Sequence, residues 1–306
     1  MVVAVQSAHM IMRPFRYSVR GLVPAVLALA LSGCQLFDNG SPTGPSPVGP
    51  PAPSEPIHYT AIGASDANGV GSSEPCLPFA SCETGMGYVP VLARQLRASR
   101  QVTVVNLGFP ASVLSPAIEA VARQHGREVT GNFLEGQMPF VEPSSTLVTI
   151  FGGGNDANAV GDAMEQGAAG DDVAGYVERQ ARAFGADFDR LTAGVRGRAP
   201  QSFIIVINVP NLALLPYASG YPLEHRRALQ TLSVAFTREA NRQARAGVVV
   251  LDAMCDAALY APSNFSSDGF HPSDAGYAHL ASRLAAIVNG AASTPAASCA
   301  SMTAAP

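Results

Sequence analysis

The stretch "HYTAIGASDANG", residues 58–69, decides the fold. A β-rich, largely apolar run ends at Gly63, and from Ala64 onward small and polar residues take over. The pattern is that of a strand delivering the chain into a tight loop, with Ser65 at its end. It returns in "VTVVNLG" (102–108), "TLVTIFGG" (146–153), "SFIIVINV" (202–209) and "GVVVLDA" (247–253). Such nearly continuous, β-branched runs are what strands buried on both faces of a parallel sheet require. The intervals 87–99, 115–126, 171–197, 222–247 and 272–290 have helical patterns. Ser115-Pro116 and Asp171-Asp172 serve as start signals, and glycine stands at several ends. The alternation predicts the α/β class: a three-layer α/β/α sandwich on a mainly parallel five-stranded sheet, with one core and no internal repeat.

Ligands of such sheets bind beyond the carboxyl ends of the strands. Ser65 follows the first run, Gly108 the second, and "GGGND" (152–156) the third. Asp268 and His271, in "SDGFHPSDAGY" (267–277), follow the last. A parallel sheet gathers all these ends at one edge, and together they supply what acyl transfer needs. A serine hydroxyl becomes a nucleophile only beside a base. His271 can be that base, because imidazole is the side chain that titrates nearest neutral pH. Asp268, three residues before it, can orient the ring and stabilise its charged form. The backbone N–H groups of Ser65 and Gly108 and the amide of Asn155 are the candidate oxyanion donors. Asp156 is expected to brace the Asn155 loop. Phe109, Val113, Leu214 and Tyr217, the last two within "LALLPYASGYP" (212–222), are the expected substrate wall.

At these residues the chain resembles the SGNH (GDSL) hydrolase family, whose blocks bring Ser, Gly, Asn and His in this order. "GGND" (153–156) and "DGFHP" (268–272) match the family blocks well. "GASDANG" (63–69) has Ala64 where the family has aspartate, and "NLGFPA" (106–111) has Ala111 where a second glycine is common. "NVPNLALLP" (208–216) is similar to a segment of the lipase-like members. The resemblance spans about residues 57–290. It implies a flavodoxin-like fold and ester hydrolysis through Ser65, Gly108, Asn155, Asp268 and His271. The family's missing aspartate is mainly a structural partner of the nucleophile. Asp66 is the nearest carboxyl to take over its hydrogen bonds, from a side chain expected to point elsewhere.

The ends of the chain read differently. Arg13, Arg16 and Arg20 precede the apolar "GLVPAVLALAL" (21–31), a signal-peptide pattern too short to span a bilayer. "LSGC" (31–34) resembles the lipobox of bacterial lipoproteins, which implies lipidation of Cys34. Gln35 after it resembles the outer-membrane signal. The expected organisation is a signal peptide over 1–33, the anchor cysteine and a proline-rich linker over 34–56, a hydrolase domain over 57–290, and a loose tail over 291–306 unless Cys299 ties it down. Four cysteines remain and allow three pairings. The short separation of the first two favours Cys76–Cys82 with Cys255–Cys299, in an oxidising compartment.

Without residues 1–33 the chain carries 16 arginines against 23 acidic residues, a net charge of −7. With no lysine at all and no arginine cluster, nucleic acid is an unfavoured partner and Schiff-base or Ser-Lys chemistry is excluded. The expected partners are an acyl-ester substrate and, through the lipid anchor, a membrane. Neither a metal nor an organic cofactor is implied. Two rivals stand beside the ester hydrolase. An α/β-hydrolase places its G-x-S-x-G elbow mid-chain and its glycine-rich oxyanion loop earlier, the reverse of the order here. A lipid-anchored binding module with a degenerate fold is favoured by Ala64 alone.

Overall fold

The computed structural model describes residues 48–303 apart from 79–81 and 246. The signal segment, Cys34 and most of the proline-rich linker lie outside the described residues. All five expected strands form: β1 (Ile57–Gly63), β2 (Val102–Asn106), β3 (Leu147–Phe151), β4 (Phe203–Ile207) and β5 (Val248–Leu251). Every pairing is parallel, in the order β2-β1-β3-β4-β5. The chain therefore reverses its direction of winding between β1 and β3, the switch point where such sheets open a crevice beyond their carboxyl ends.

Strand alternation divides the interior into two layers. Ile57, Tyr59 and Ala61 of β1, with Ile205 and Ile207 of β4, face α1 (Tyr88–Arg97) and α7 (Asp274–Val288). Ile62, Val148, Ile150, Ile204 and Val206 face the other way. That side is covered by α2 (Pro116–Gln124), α4 (Gly154–Glu165), α5 (Val173–Arg198) and α6 (Leu223–Asn241). The expected single core is thus two apolar layers with the sheet between them. Capping follows the sequence signals: Ser115 Oγ accepts the Ile118 N–H with Pro116 in the first turn, and Asp172 accepts the Gly175 N–H.

Two helices inside the expected domain escape the sequence pattern. The four-residue α3 (Phe133–Gly136) is capped by Asn132, whose side chain accepts the Glu135 N–H. α4 is the larger omission, starting from Gly153 in the left-handed region at φ 106°. Its "GNDANAVGDAME" shows little amphipathic contrast because Ala157, Ala159, Val160 and Gly161 are all buried. Gly161 lies where a Cβ would sit 3.4 Å from Leu229, so small residues let α4 pack close on α6.

The C-terminal segment is held, not loose. Both expected disulfides form, Cys76–Cys82 and Cys255–Cys299. Beyond α7, Ser293 Oγ donates to the Val250 carbonyl at 2.6 Å and Ala296 N–H to Asp252 Oδ2 at 2.8 Å. The short α8 (Ala300–Thr303) buries Met302, and the Asn211 side chain donates to the Ser301 carbonyl.

One departure from the family pattern carries a visible cost. Ala111 has φ 60°, the sole positive value at a non-glycine residue among the described residues. The backbone keeps the left-handed turn that a glycine would adopt freely, and the Cβ makes it unfavourable. Ala111→Gly should raise stability by about 0.5–1 kcal/mol, read as a higher urea midpoint at unchanged slope. A midpoint that falls would show that the turn is not strained.

Candidate active site

Ser65 stands two residues past the end of β1, in a turn closed by Asn68 N–H and Val70 N–H, both donating to its carbonyl. The strand end beneath it is fixed by Gln137, a residue the sequence reading missed. Its buried amide accepts from the Gly63 N–H and donates to the Gly63 carbonyl, both at 2.9 Å. Sequence offered no signal for this pairing, because the two residues lie 74 positions apart.

His271 arrives from the segment before α7. Ser65 Oγ lies 2.8 Å from His271 Nε2, and His271 Nδ1 lies 2.6 Å from Asp268 Oδ2. Partial burial pulls the Asp268 carboxyl upward, but hydrogen bonds from the His271 ring, the His271 and Phe270 N–H groups and the Ser266 hydroxyl outweigh it. The carboxyl is held down at about 2. It is therefore ionised across ordinary pH and can only accept. That fixes the tautomer: Nδ1 carries the proton toward Asp268, and Nε2 is left to accept the Ser65 hydroxyl. Gly71 lets the Ser65 loop reach this segment, since a Cβ there would sit 2.8 Å from both His271 Cβ and the Pro272 carbonyl oxygen.

The three expected oxyanion donors converge on the same edge but differ in availability. Ser65 N–H makes no hydrogen bond among the described residues. Asn155, in the first turn of α4, spends one amide hydrogen on the Ser112 carbonyl at 2.9 Å and keeps the other. Gly108 has a single N–H, which donates to Asn106 Oδ1 at 3.0 Å. Asn106 was not singled out in the sequence, yet it also holds the Ser65 turn by donating to the Ala67 carbonyl at 2.7 Å.

The expected substrate wall needs revision. Val113 is fully buried, with its backbone bridged to Asn132, so it is core and not cleft. The cavity beside Ser65 is lined by Ala64, Asp66, Ser112, Phe151, the Gly152–Asn155 turn and Phe270, with Pro210, Leu212 and Leu215 closing it. Leu214 and Phe109 stand outside that lining. Tyr217 supports it from behind, its ring edge-on to Phe270 at 4.9 Å. Phe270 in turn meets the His271 ring at 4.9 Å.

Two acidic residues near Ser65 differ from each other in their hydrogen bonds. Asp66 does not take over the hydrogen bonds of the aspartate that the resemblance leads one to expect at position 64, because no other described residue's hydrogen bond reaches its carboxyl. Asp156 does brace the site: its Oδ1 accepts the Leu114 N–H at 2.8 Å, tying the Gly108 loop to α4. Its Oδ2 is buried without a partner among the described residues.

Elsewhere, Asp162, Glu165 and His225 place ligand-type atoms within 4.8 Å of one another. Arg127 Nε forms a salt bridge with Asp162 at 2.7 Å, and Glu165 Oε1 contacts His225 Nδ1.

The profile of the GDSL-like lipase/acylhydrolase family matches residues 61–279. The chain belongs to that family. This GDSL-like chain has the fold of a lipase from a goat rumen metagenome (TM-score 0.53, 18% identity, covering 76% of this chain and 97% of the other). It also has the fold of an extracellular lipase from Streptomyces rimosus (TM-score 0.51, 19% identity, 77% and 100%). No curated protein sequence matches it. Membership of a GDSL-like family carries the class of chemistry, hydrolysis of ester bonds.

Burial pushes the Asp156 carboxyl up to about 7 against the pull of backbone N–H groups, with the Asp187 charge adding to the rise. The folded chain therefore keeps a proton that the unfolded chain releases, and stability should fall as pH rises from about 4 to about 7. The loss is bounded at about 4 kcal/mol. Urea midpoints measured across that window should flatten in Asp156→Asn. An unchanged slope would place the titration elsewhere.

Proposed function

We propose that the protein is a serine carboxylic-ester hydrolase acting through an acyl-enzyme. The observation that supports this is the unbroken hydrogen-bond chain from Ser65 through His271 to Asp268. Ser65 Oγ attacks the acyl carbonyl while His271 Nε2 takes its proton, and Asp268 stabilises the imidazolium. The carbonyl oxygen becomes an oxyanion that accepts from the free Ser65 N–H and the unspent Asn155 hydrogen. Gly108 joins as a third donor when its N–H turns from Asn106. Collapse of the tetrahedral intermediate passes the proton from His271 to the leaving alcohol. Water, deprotonated by His271, then attacks the acyl-Ser65 ester and returns the free serine.

Ala64 leaves this machinery intact, because the acid that faces His271 comes from position 268. Its small side chain is part of the cavity wall. With Leu212, Leu215 and Phe270 it forms an apolar recess suited to a short acyl chain.

The test uses p-nitrophenyl esters of graded acyl length. Ser65→Ala should lower kcat by about 10⁴-fold or more, and Asp268→Asn by about 10⁴-fold, with urea midpoints near wild type. Equal activity in wild type and Ser65→Ala overturns the mechanism. Rates that rise steadily to long chains favour a lipase over a short-chain esterase.

The mature chain is lipid-anchored at Cys34 in the outer membrane, a reading supported by "LSGC" and the following Gln35. Palmitate incorporation should disappear in Cys34→Ala, and label retained in that variant refutes the anchor.

A further inference from the structure

Asp66 follows the nucleophile directly and is half-buried between Ser65 and Ala67, which are 6% and 0% exposed. It lines the cavity beside Ser65 and also a second cavity, bounded by Leu259, Tyr260, Phe265 and Pro272. Phe151, Pro210, Leu215 and Phe270 are common to both linings, and Asp66 is the one charged side chain in either.

The polar neighbours in the second cavity each have a partner of their own. Tyr260 donates to the Met254 carbonyl at 2.9 Å and accepts the Asn211 N–H at 2.8 Å. Asn264 donates to the Ala258 carbonyl at 2.7 Å. Asp66 is different, because among the described residues its own N–H is the only hydrogen-bond donor to its carboxyl. Asp268, by contrast, accepts from Ser266, Phe270 and His271, and Asp274 accepts twice from Ser73. Burial accordingly raises the Asp66 carboxyl above the ordinary range, with His271 opposing the rise and Asp268 adding to it.

Orienting His271 does not account for this residue. Both ring nitrogens are occupied, one by Ser65 at 2.8 Å and the other by Asp268 at 2.6 Å. A carboxyl left short of donors in a largely apolar cleft is costly until something supplies one. A substrate made only of methylenes removes its remaining water, whereas one bearing a donor satisfies it.

We propose that Asp66 is the specificity-determining residue of the cleft, accepting a hydrogen bond from a hydroxyl or ammonium group that the substrate carries close to its scissile ester. The proposal rests on the reading of Ser65 as the nucleophile. It makes the cleft selective in both directions: donor-bearing esters gain a partner, and plain alkyl esters strand the carboxylate.

Matched esters test it on the full mature chain. On the acyl side, p-nitrophenyl butanoate is compared with the 3-hydroxybutanoate and 3-aminobutanoate esters. On the alcohol side, propyl butanoate is compared with glycerol monobutanoate. The donor-bearing ester in at least one pair should have a kcat/KM about tenfold higher in wild type. In Asp66→Leu that ratio should collapse to near one or invert. Asp66→Asn separates the two donors, because a neutral amide oxygen still accepts from a hydroxyl but gives up the attraction to an ammonium. A carboxyl that serves only the internal packing near Tyr88 and Tyr277 would shift both members of a pair together. A ratio that is insensitive to Asp66→Leu, or a wild type with no preference in either pair, overturns the proposal. If p-nitrophenyl acetate hydrolysis is still abolished by Ser65→Ala, the proposal falls and the reading of the nucleophile stands. A wild type inert toward every ester overturns both.

Discussion

The hydrogen bond from Ser65 to His271 joins residues 206 positions apart, and the rest of the fold serves to hold those two atoms at 2.8 Å. Ser65 is delivered by the strand between β2 and β3, and His271 by the segment entering the last long helix. Neither local sequence can set the distance alone. Several contacts between the two segments set it instead. Tyr277 donates to the Val70 carbonyl at 2.7 Å, and Ser73 donates twice to Asp274. Gly71 lies flat against His271, where any side chain would intrude. The His271 carbonyl accepts from Ser266 N–H, so the segment carrying Asp268 and His271 is folded on itself where it meets the serine.

Electrostatics sorts the carboxyls around this pair into distinct roles. Asp268 receives enough donors to stay charged despite partial burial, and a fixed charge is what stabilises a transient imidazolium. Asp156 is buried with the Leu114 N–H on one oxygen and no partner on the other among the described residues, so its effect is to position a loop at a cost in stability above its own titration. Asp66 has only its own N–H as a donor among the described residues and is not fully buried. The difference lies in the hydrogen bonds each position offers, since the three side chains are identical.

The sequence made the strands legible because their apolar runs are uninterrupted, and a parallel sheet then gathers Ser65, Gly108, Asn155 and His271 without further information. What stayed hidden depended on small residues or on long-range partners. The helix over residues 154–165 is lined with alanine and glycine, so its buried face lacks the contrast that periodicity detects. Val113 has the apolar character of a cleft residue and of a core residue alike, and only its burial distinguishes them. Gln137 and Asn106 act through partners with no fixed spacing. The Cys299 tether was a condition that the sequence could state but not decide.

The two departures from the family pattern bear on different things. Ala111 changes the side chain at a site whose requirement is a backbone angle, and the chain meets the requirement at φ 60° at an energetic cost. Ala64 changes a site whose requirement is a side-chain partner, and the structure answers with a cavity wall. A strained turn costs folding energy wherever the protein is, but a cavity next to the nucleophile costs nothing when a substrate fills it. Ala64 therefore belongs with Asp66 as a change in what the cleft accepts. The pair brackets Ser65 with a recess on one side and an unpaired acceptor on the other. The geometry of Ser65, His271 and Asp268 depends on neither.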